Sequence, residues 1–448
     1  MDDAVGDLEG DVLIVDDQIA EVGPHLKART DTVVDVQGKF LLPGFIDAHI
    51  HLWQAPVRGI ASGCWGREYF GIVHPLSGRL RPEDLHAATL GGAVELLTRG
   101  VTTVFDFCHS GNTVDHAQAA LAALSESGIR ALYGYTFRNR PEAGAGQSLD
   151  QHIDVLSRIH EQYAGHSRVG LAVSLNNMEH VAPDEHAREV AAARSLGVRA
   201  SLHSNLEKQI TQSWKQGLLG PDLLWVHCGP ATDDELDLLA DHGGVIVCTP
   251  EVEAAQMGVT PLIGRALRRS LPIVMGTDVP AASNGDILAQ LRMAHAIDRL
   301  VCAQELRSEG RPVQRTDQHP SVDAHRLLRM ATIDAAHALG LGTQTGSITP
   351  GKLADLLVVS AGPFGLGAAS PADHVLFQTA VGDIESVYVG GRRVVDRSKV
   401  SSVDLSQVRH GLEAARDWIL GRSPGANWPA LEEEVRRQYE AGQGLRTP

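Results

Sequence analysis

Five polar side chains stand at the ends of apolar runs, and their types suit one task. His49-Ile-His51 closes the run Phe40-Leu-Leu-Pro-Gly-Phe-Ile46, and His203 follows Val198-Arg-Ala-Ser-Leu202. His227 follows Leu223-Leu-Trp-Val226, and Asp278 follows Ile273-Val-Met-Gly-Thr277. Four of these five groups suffice to hold one divalent metal ion. Three neutral imidazoles and a carboxylate suit zinc first, with iron(II) as the alternative, and leave a position open for water. Alternate residues of a strand share a face, so His49 and His51 are placed to chelate. Water on such a cation has its pKa lowered to about 7, so hydroxide is available near neutral pH. Asp278 can take a proton as that water attacks, and Asp278 or a nearby glutamate can return it to the leaving group. The chain has no Gly-x-Ser-x-Gly elbow and no Cys–His signature, so nothing suggests a covalent enzyme intermediate.

Residues this far apart become neighbours only if strand ends converge. Residues 40–340 alternate between strand-like and helix-like patterns. A helix starts at Arg81-Pro-Glu-Asp84 and stops at Gly100, and Val101–Phe107 is a β-branched strand. Helices over 113–127, 149–163, 183–195, 206–217, 232–242 and 260–270 alternate with strands over 131–137, 169–175, 198–203, 222–228, 245–250 and 272–277. With the strand before His49, the pattern predicts an α/β fold, a (β/α)8 TIM barrel whose strand C-termini share one mouth. Helices 284–306 and 324–340 follow, separated by a polar loop at 307–322. Strand-like segments at 11–15, 18–22 and 31–35 match others at 354–359 and 386–395, with Gly390-Gly391 as a hairpin turn. The expected organisation is a small β-sandwich-like domain from both termini (1–39 and 346–400), a barrel over 40–345, and a helical extension over 401–448. The helical pattern of that extension spans 403–441 and reads as a surface or dimer element.

Loops on the C-terminal side of a barrel build the pocket. The candidates for substrate contact are Trp53 and Gln54, which follow the histidine pair, Trp65 on the long first loop at 52–80, and His109 after the second strand. Tyr69 and His74 lie on that loop too. Only 4% of the chain is aromatic, so Trp53, Trp65 and Tyr69 are a concentration that fits a planar or apolar substrate.

Composition removes other classes. At 448 residues, 43% apolar and 21% charged, the chain is an ordinary globular protein. A formal charge of −16 argues against a nucleic-acid or anionic-membrane partner, both of which need clustered Lys and Arg. Cys64, Cys108, Cys228, Cys248 and Cys302 are odd in number and scattered, which reads as reduced thiols in the cytoplasm. Met1-Asp-Asp-Ala lacks the basic start of a signal peptide, and no apolar stretch approaches the ~18–20 residues a membrane span needs.

Leu42-Pro-Gly-Phe-Ile-Asp-Ala-His-Ile-His51 resembles the opening motif of the amidohydrolase superfamily, and Gly346-Ser-Ile-Thr-Pro-Gly-Lys-Leu-Ala-Asp355 resembles the peptide with which its chains return to the small β domain. Gly100–Asp106, Val226-His-Cys228 and Gly276-Thr-Asp278 fall where that family has strand-end motifs. The nearest branch is the cytosine-deaminase and triazine-chlorohydrolase-like group. The resemblance implies His49, His51, His203 and Asp278 as ligands of one catalytic metal, and His227 as a histidine that helps polarise substrate and water. No lysine lies in 169–175, where binuclear members carry a bridging one, which implies a mononuclear site. The resemblance also implies hydrolytic removal of an amine, halide or similar group from a small cyclic or aromatic molecule, in a homo-oligomer of two or more chains.

The chain departs from this pattern at one position. Deaminases of this branch have a glutamate three residues after the histidine matching His203; here that residue is Leu206. The replacement acids expected are Glu251 and Glu253, at the end of the seventh strand. The leading expectation is an aminohydrolase cleaving a C–N bond. The alternatives are the same site used for dehalogenation, amide-ring opening or a lyase-type step, and a catalytically weakened member that binds a ligand. The chain starts one strand late for this family, so its small domain is expected to be incomplete or differently built.

Overall fold

The expected first barrel strand divides in two at Gly44. In the computed structural model, which describes residues 6–111, 113–138, 147–314, 322–363, 365 and 370–421, a hairpin of β1 (Asp11–Val15) and β2 (Gln18–Gly23) leads to β3 (Lys39–Pro43). The next strand, β4 (Phe45–Ile50), begins two residues on and belongs to a different sheet. The crossing requires glycine, because a Cβ at Gly44 would lie 2.0 Å from Thr102 Oγ1.

Eight parallel strands follow in sequence order: β4, β5 (Val101–Phe107), β6 (Arg130–Thr136), β7 (Val169–Ser174), β8 (Ala200–Ser204), β9 (Leu223–His227), β10 (Val245–Cys248) and β11 (Ile273–Met275). The first and last meet at the site itself. Asp278 N donates to His49 O at 2.9 Å, and His51 N donates to Asp278 O at 2.8 Å. This is the (β/α)8 barrel that the alternating pattern predicts. The intervening helices are set by local chemistry. Pro82 and Pro183 open two of them at the first helical position, and Ser148 and Thr232 cap two others through side-chain oxygens. Phe105, Phe107, Leu132, Val226, Val247 and Val274 come from five strands and form one buried cluster with Ala335 and Leu339. Each large apolar side chain buried this way contributes about 1.5–3 kcal/mol.

The expected helix over 324–340 is two helices, Ala324–Met330 and Ile333–Ala338. The break frees the Ala331 carbonyl, which accepts from Ile46 N at 2.8 Å and so completes the hydrogen bonding of β4.

Antiparallel sheets from both termini lie beside the barrel. β12 (Leu356–Ser360), β13 (Ile384–Val389), β14 (Arg392–Asp396) and β15 (Lys399–Val400) form a five-stranded sheet with β3, in the order β15-β14-β13-β12-β3. Gly390 and Gly391 turn the β13–β14 hairpin with φ of 54° and 71°, as a two-residue turn of this kind requires. The β1–β2 hairpin packs on it through Ile19, Ala354 and Leu356. The strand expected at 31–35 does not form: among the described residues the segment has no pairing partner, and Val33 is 84% exposed.

A buried ion pair fastens this sheet to the barrel. Arg130 donates through Nε to Asp355 Oδ2 at 2.8 Å and through Nη2 to Oδ1 at 3.1 Å. Thr345 Oγ1 and Gly390 N also donate to that carboxylate, at 2.9 and 2.8 Å. The helix Leu405–Gly421 lies on the helix Pro82–Thr98, and Trp418 Nε1 donates to Arg79 O at 3.1 Å. The rest of the helical pattern expected over 403–441 lies outside the described residues, as does 315–321 of the polar loop. No helix among the described residues is long and apolar enough to cross a membrane.

Candidate metal centre

Four strand ends carry the five side chains of the cluster to the mouth. His49 and His51 come from the end of β4, His203 from β8, His227 from β9, and Asp278 from the turn after β11. All are buried. One ligand atom from each of His49, His51, His203 and Asp278 can be chosen so that all four lie within 4.8 Å of one another. Asp278 Oδ1 lies 3.3 Å from both His49 Nε2 and His51 Nε2. His227 Nε2 faces Asp278 Oδ2 at 3.7 Å. His227 and Asp278 adopt φ of 67° and 65°, a left-handed backbone that costs a non-glycine residue energy and gathers at functional sites.

The cluster is incomplete as protein chemistry. Among the described residues neither ring nitrogen of His49 has a hydrogen-bond partner, although the side chain is 0% exposed, and His203 Nδ1 is also unpartnered. Buried polar atoms are rarely left this way. A divalent cation fits this donor set. It would take lone pairs from imidazoles that burial keeps neutral: His49 is lowered to about 4, and His203 well below its ordinary value. Burial pushes the Asp278 carboxyl up, but His49, His51 and His227 outweigh it and hold Asp278 well below the usual carboxylate range. His51 is fixed from behind by a contact of Nδ1 to Phe107 O at 2.7 Å, the outer support that metal-ligating histidines usually have.

His227 is held differently. Burial pulls its imidazole down, yet Glu253 and Asp278 more than offset this and leave it raised. Thr249 Oγ1 lies 2.9 Å from His227 Nδ1, and Glu253 Oε1 lies 3.6 Å from it. The two acids expected after the seventh strand therefore part company. Glu253 is 1% exposed and stands behind His227. Glu251 is turned to Gln290, which donates to it through Nε2 at 2.9 Å and accepts its backbone N–H at 3.0 Å. At the departure point, Leu206 N donates to Gln209 Oε1 at 3.0 Å, and Gln209 Nε2 donates to Glu179 at 2.9 Å.

The expected substrate contacts divide as well. His109 stacks on His51, with ring centroids 4.3 Å apart, and its Nδ1 is buried and unpartnered. Trp53 is buried, with its ring 6.3 Å from His109. Gln54 is occupied at both ends: Nε2 donates to Tyr69 Oη at 2.7 Å, and Oε1 accepts from Ala281 N at 3.3 Å. Trp65 is 62% exposed, at the start of the helix Gly66–Ile72. His74 on the same loop is in contact with Arg138, 2.7 Å from Nε2 to Nη2.

Four supporting residues escaped the sequence reading: Asp47, Thr249, Thr277 and Arg138. Asp47 Oδ1 accepts from His49 N at 3.1 Å and from Thr277 N at 3.2 Å, while Oδ2 accepts from Thr277 Oγ1. It thus ties β4 to the Asp278 turn, and its spacing two residues before His49 was a signal for it. Burial raises the Asp47 carboxyl to about 7.

A closed barrel with three imidazoles and a carboxylate converging on unsatisfied nitrogens at its mouth defines a metal-dependent hydrolase. The chain belongs to the amidohydrolase family, whose model matches residues 40–394. It is similar to a 5'-deoxyadenosine deaminase of Methanothermobacter thermautotrophicus, with 25% identity over 94% of this chain and 97% of that one. Among solved structures it shares its fold with an adenosine deaminase from Xanthomonas campestris with bound zinc, at TM-score 0.77 and 22% identity over 91% of this chain and 93% of that chain. The zinc complex of atrazine chlorohydrolase from Arthrobacter aurescens matches at TM-score 0.78 and 23% identity, over 93% and 97% of the two chains.

Proposed function

We propose that the chain is a mononuclear zinc-dependent aminohydrolase of the cytosine-deaminase and triazine-chlorohydrolase-like branch, acting on a small cyclic molecule that bears an amino group. It is an enzyme of the hydrolase class that acts on C–N bonds other than peptide bonds. His49, His51, His203 and Asp278 would hold the metal, which supplies a water acidic enough to act as a nucleophile near neutral pH. Asp278 would take up a proton on one carboxylate oxygen and deliver it to the departing nitrogen. His227, turned to Asp278, polarises the carbon under attack. Glu253 is the acid that supports His227 from its far side. Trp53 and His109 form the wall that a planar ring meets, and Tyr69 is joined to that wall through Gln54. The buried nitrogens of His49 and His203 carry this reading, because among the described residues they have no hydrogen-bond partner.

Leu206 favours a second reading. With no carboxylate at that position, the same residues suit a leaving group that departs without ring protonation, as in dehalogenation or amide-ring opening. Elemental analysis followed by a screen of the zinc-loaded chain decides. Ammonia release from aminated heterocycles, with 5'-deoxyadenosine and adenosine first, supports deamination; chloride or carbon dioxide release supports the second reading. His51→Ala is expected to lose metal and activity with the barrel intact, and a full metal equivalent in that variant would refute the site.

A further inference from the structure

Behind His227, Glu253 is joined by a second group, Thr249. His227 Nε2 faces Asp278, while Nδ1 lies 2.9 Å from Thr249 Oγ1. Thr249 is itself fixed, because its backbone N–H donates to Glu253 Oε1 at 2.8 Å. The other oxygen, Oε2, accepts from Cys248 Sγ at 3.1 Å. Thr249 is 0% exposed and Glu253 is 1% exposed, so no water competes for these groups. Glu253 opens a single turn of π-helix, Glu253–Met257. Such turns are rare and are frequently found at functional sites. The turn is pinned to the first loop, since Gln256 Nε2 donates to Ala61 O at 3.0 Å.

We propose that Thr249 and Glu253 are positioning residues: they fix the plane of the His227 ring, with Nδ1 donating towards Thr249 Oγ1 and Nε2 presented to the reacting centre. The inference rests on the reading of His227 as a group that touches substrate. Glu253 stands on the side of the ring away from Asp278, so it acts through His227 and does not itself exchange a proton with substrate. The proton on one ring nitrogen is set by the partner of the other. Here a hydroxyl that can accept and a carboxylate 3.6 Å away both favour a proton on Nδ1. His227 has a left-handed backbone, with φ of 67°, the kind of strain that gathers at functional sites.

The test uses the full zinc-loaded chain and the variants Thr249→Val, Thr249→Ser and Glu253→Gln. The Thr249→Val protein is expected to keep its zinc equivalent by elemental analysis and to show the His227 ring turned in a crystal structure. Its kcat should fall about 10–100-fold, the usual cost of removing an outer support, with KM within about threefold. Thr249→Ser restores the hydroxyl and should recover most of the loss. An unturned ring in Thr249→Val, a turned ring with unchanged kcat, loss of zinc, or a Thr249→Ser enzyme as slow as the valine variant would each overturn the proposal. Glu253→Gln should lower kcat in the same way; if it does not fold, the threonine pair decides alone. If no aminated substrate is turned over by the unaltered enzyme, deamination fails, while the orientation of His227 in Thr249→Val still tests this inference.

Discussion

Two carboxylates, both nearly inaccessible to solvent, sit in different parts of this barrel and have opposite surroundings. Asp355, where the barrel meets the small sheet, is saturated: Arg130 binds both oxygens, and Thr345 and Gly390 N each add a donor. The Asp278 carboxylate at the mouth faces imidazoles, at 3.3, 3.3 and 3.7 Å, and among the described residues one of those rings has no hydrogen-bond partner at either nitrogen. A buried charge with every lone pair taken can only hold structure together. A buried charge among unsatisfied donors and acceptors is waiting for a ligand. Burial and charge alone would not separate the two residues; the census of partners does.

The largest effect expected from breaking this contrast is on rate. Asp278→Asn keeps the shape of the side chain but removes a ligand charge and the proton acceptor. Turnover on any substrate found should fall by about 10²–10⁴-fold, with zinc content reduced. The melting temperature of the metal-free protein should move by only about 2 °C, because no saturated network is disturbed. A large drop in metal-free stability would mean that Asp278 is as structural as Asp355.

The converse change should act on stability. Asp355→Ala leaves the Arg130 guanidinium buried, at 4% exposure, without its counter-charge. Stripping one partner from such a pair costs about 3–5 kcal/mol, measurable by chemical denaturation. Zinc content per folded chain should be unchanged. Loss of zinc from a still-folded Asp355→Ala protein would show that the two regions are not independent.

How far the sequence reveals this contrast depends on what each residue needs. His49, His51, His203, His227 and Asp278 were legible because a polar group at the end of an apolar strand stands out against its neighbours, and a barrel brings strand ends together. Asp355 was legible as part of a motif, but its buried ion pair with Arg130 was not, because nothing local to either residue announces a partner so distant in the chain. The same limit explains Gly44. The run 40–46 is uniformly apolar, yet β3 pairs with β12 and β4 with β5, and only those distant strands divide it. At 31–35 the pattern was strand-like, but among the described residues no strand pairs with it and Val33 faces solvent. The choice between Glu251 and Glu253 turned on two residues at the start of a short helical turn, below the resolution of any periodicity. Thr249 was invisible because a threonine at a strand end is ordinary until an imidazole is placed 2.9 Å from it.

A third buried carboxylate sharpens the comparison with the smallest and most specific effect. Glu189 is 0% exposed, and both oxygens are partnered, among the described residues only by the amide groups of Asn176: Nδ2 at 2.6 Å and the backbone N at 3.1 Å. Without the cationic partner that Asp355 has, burial raises Glu189 from its ordinary value near 4.5 to about 7, against the opposing pull of the Asn176 hydrogen bonds. Its folded pKa lies above its unfolded one, so the folded chain holds the extra proton between those limits. The stability it contributes is therefore present below about pH 4.5 and lost as pH rises to about 7. Buried His49 and His186, both lowered to about 4, act with the opposite sign, since the unfolded chain binds their protons first and stability grows as pH rises past them. The total pH profile therefore mixes both trends, and the informative quantity is the difference between the unaltered chain and Glu189→Gln. Measured by denaturant unfolding of metal-free protein, that difference should fall by something on the order of 3 kcal/mol between pH 4.5 and 7 and be flat above. A difference that is flat throughout would mean that Glu189 is already ionised in the fold, and that two amide donors serve a buried carboxylate as well as the Arg130 guanidinium does.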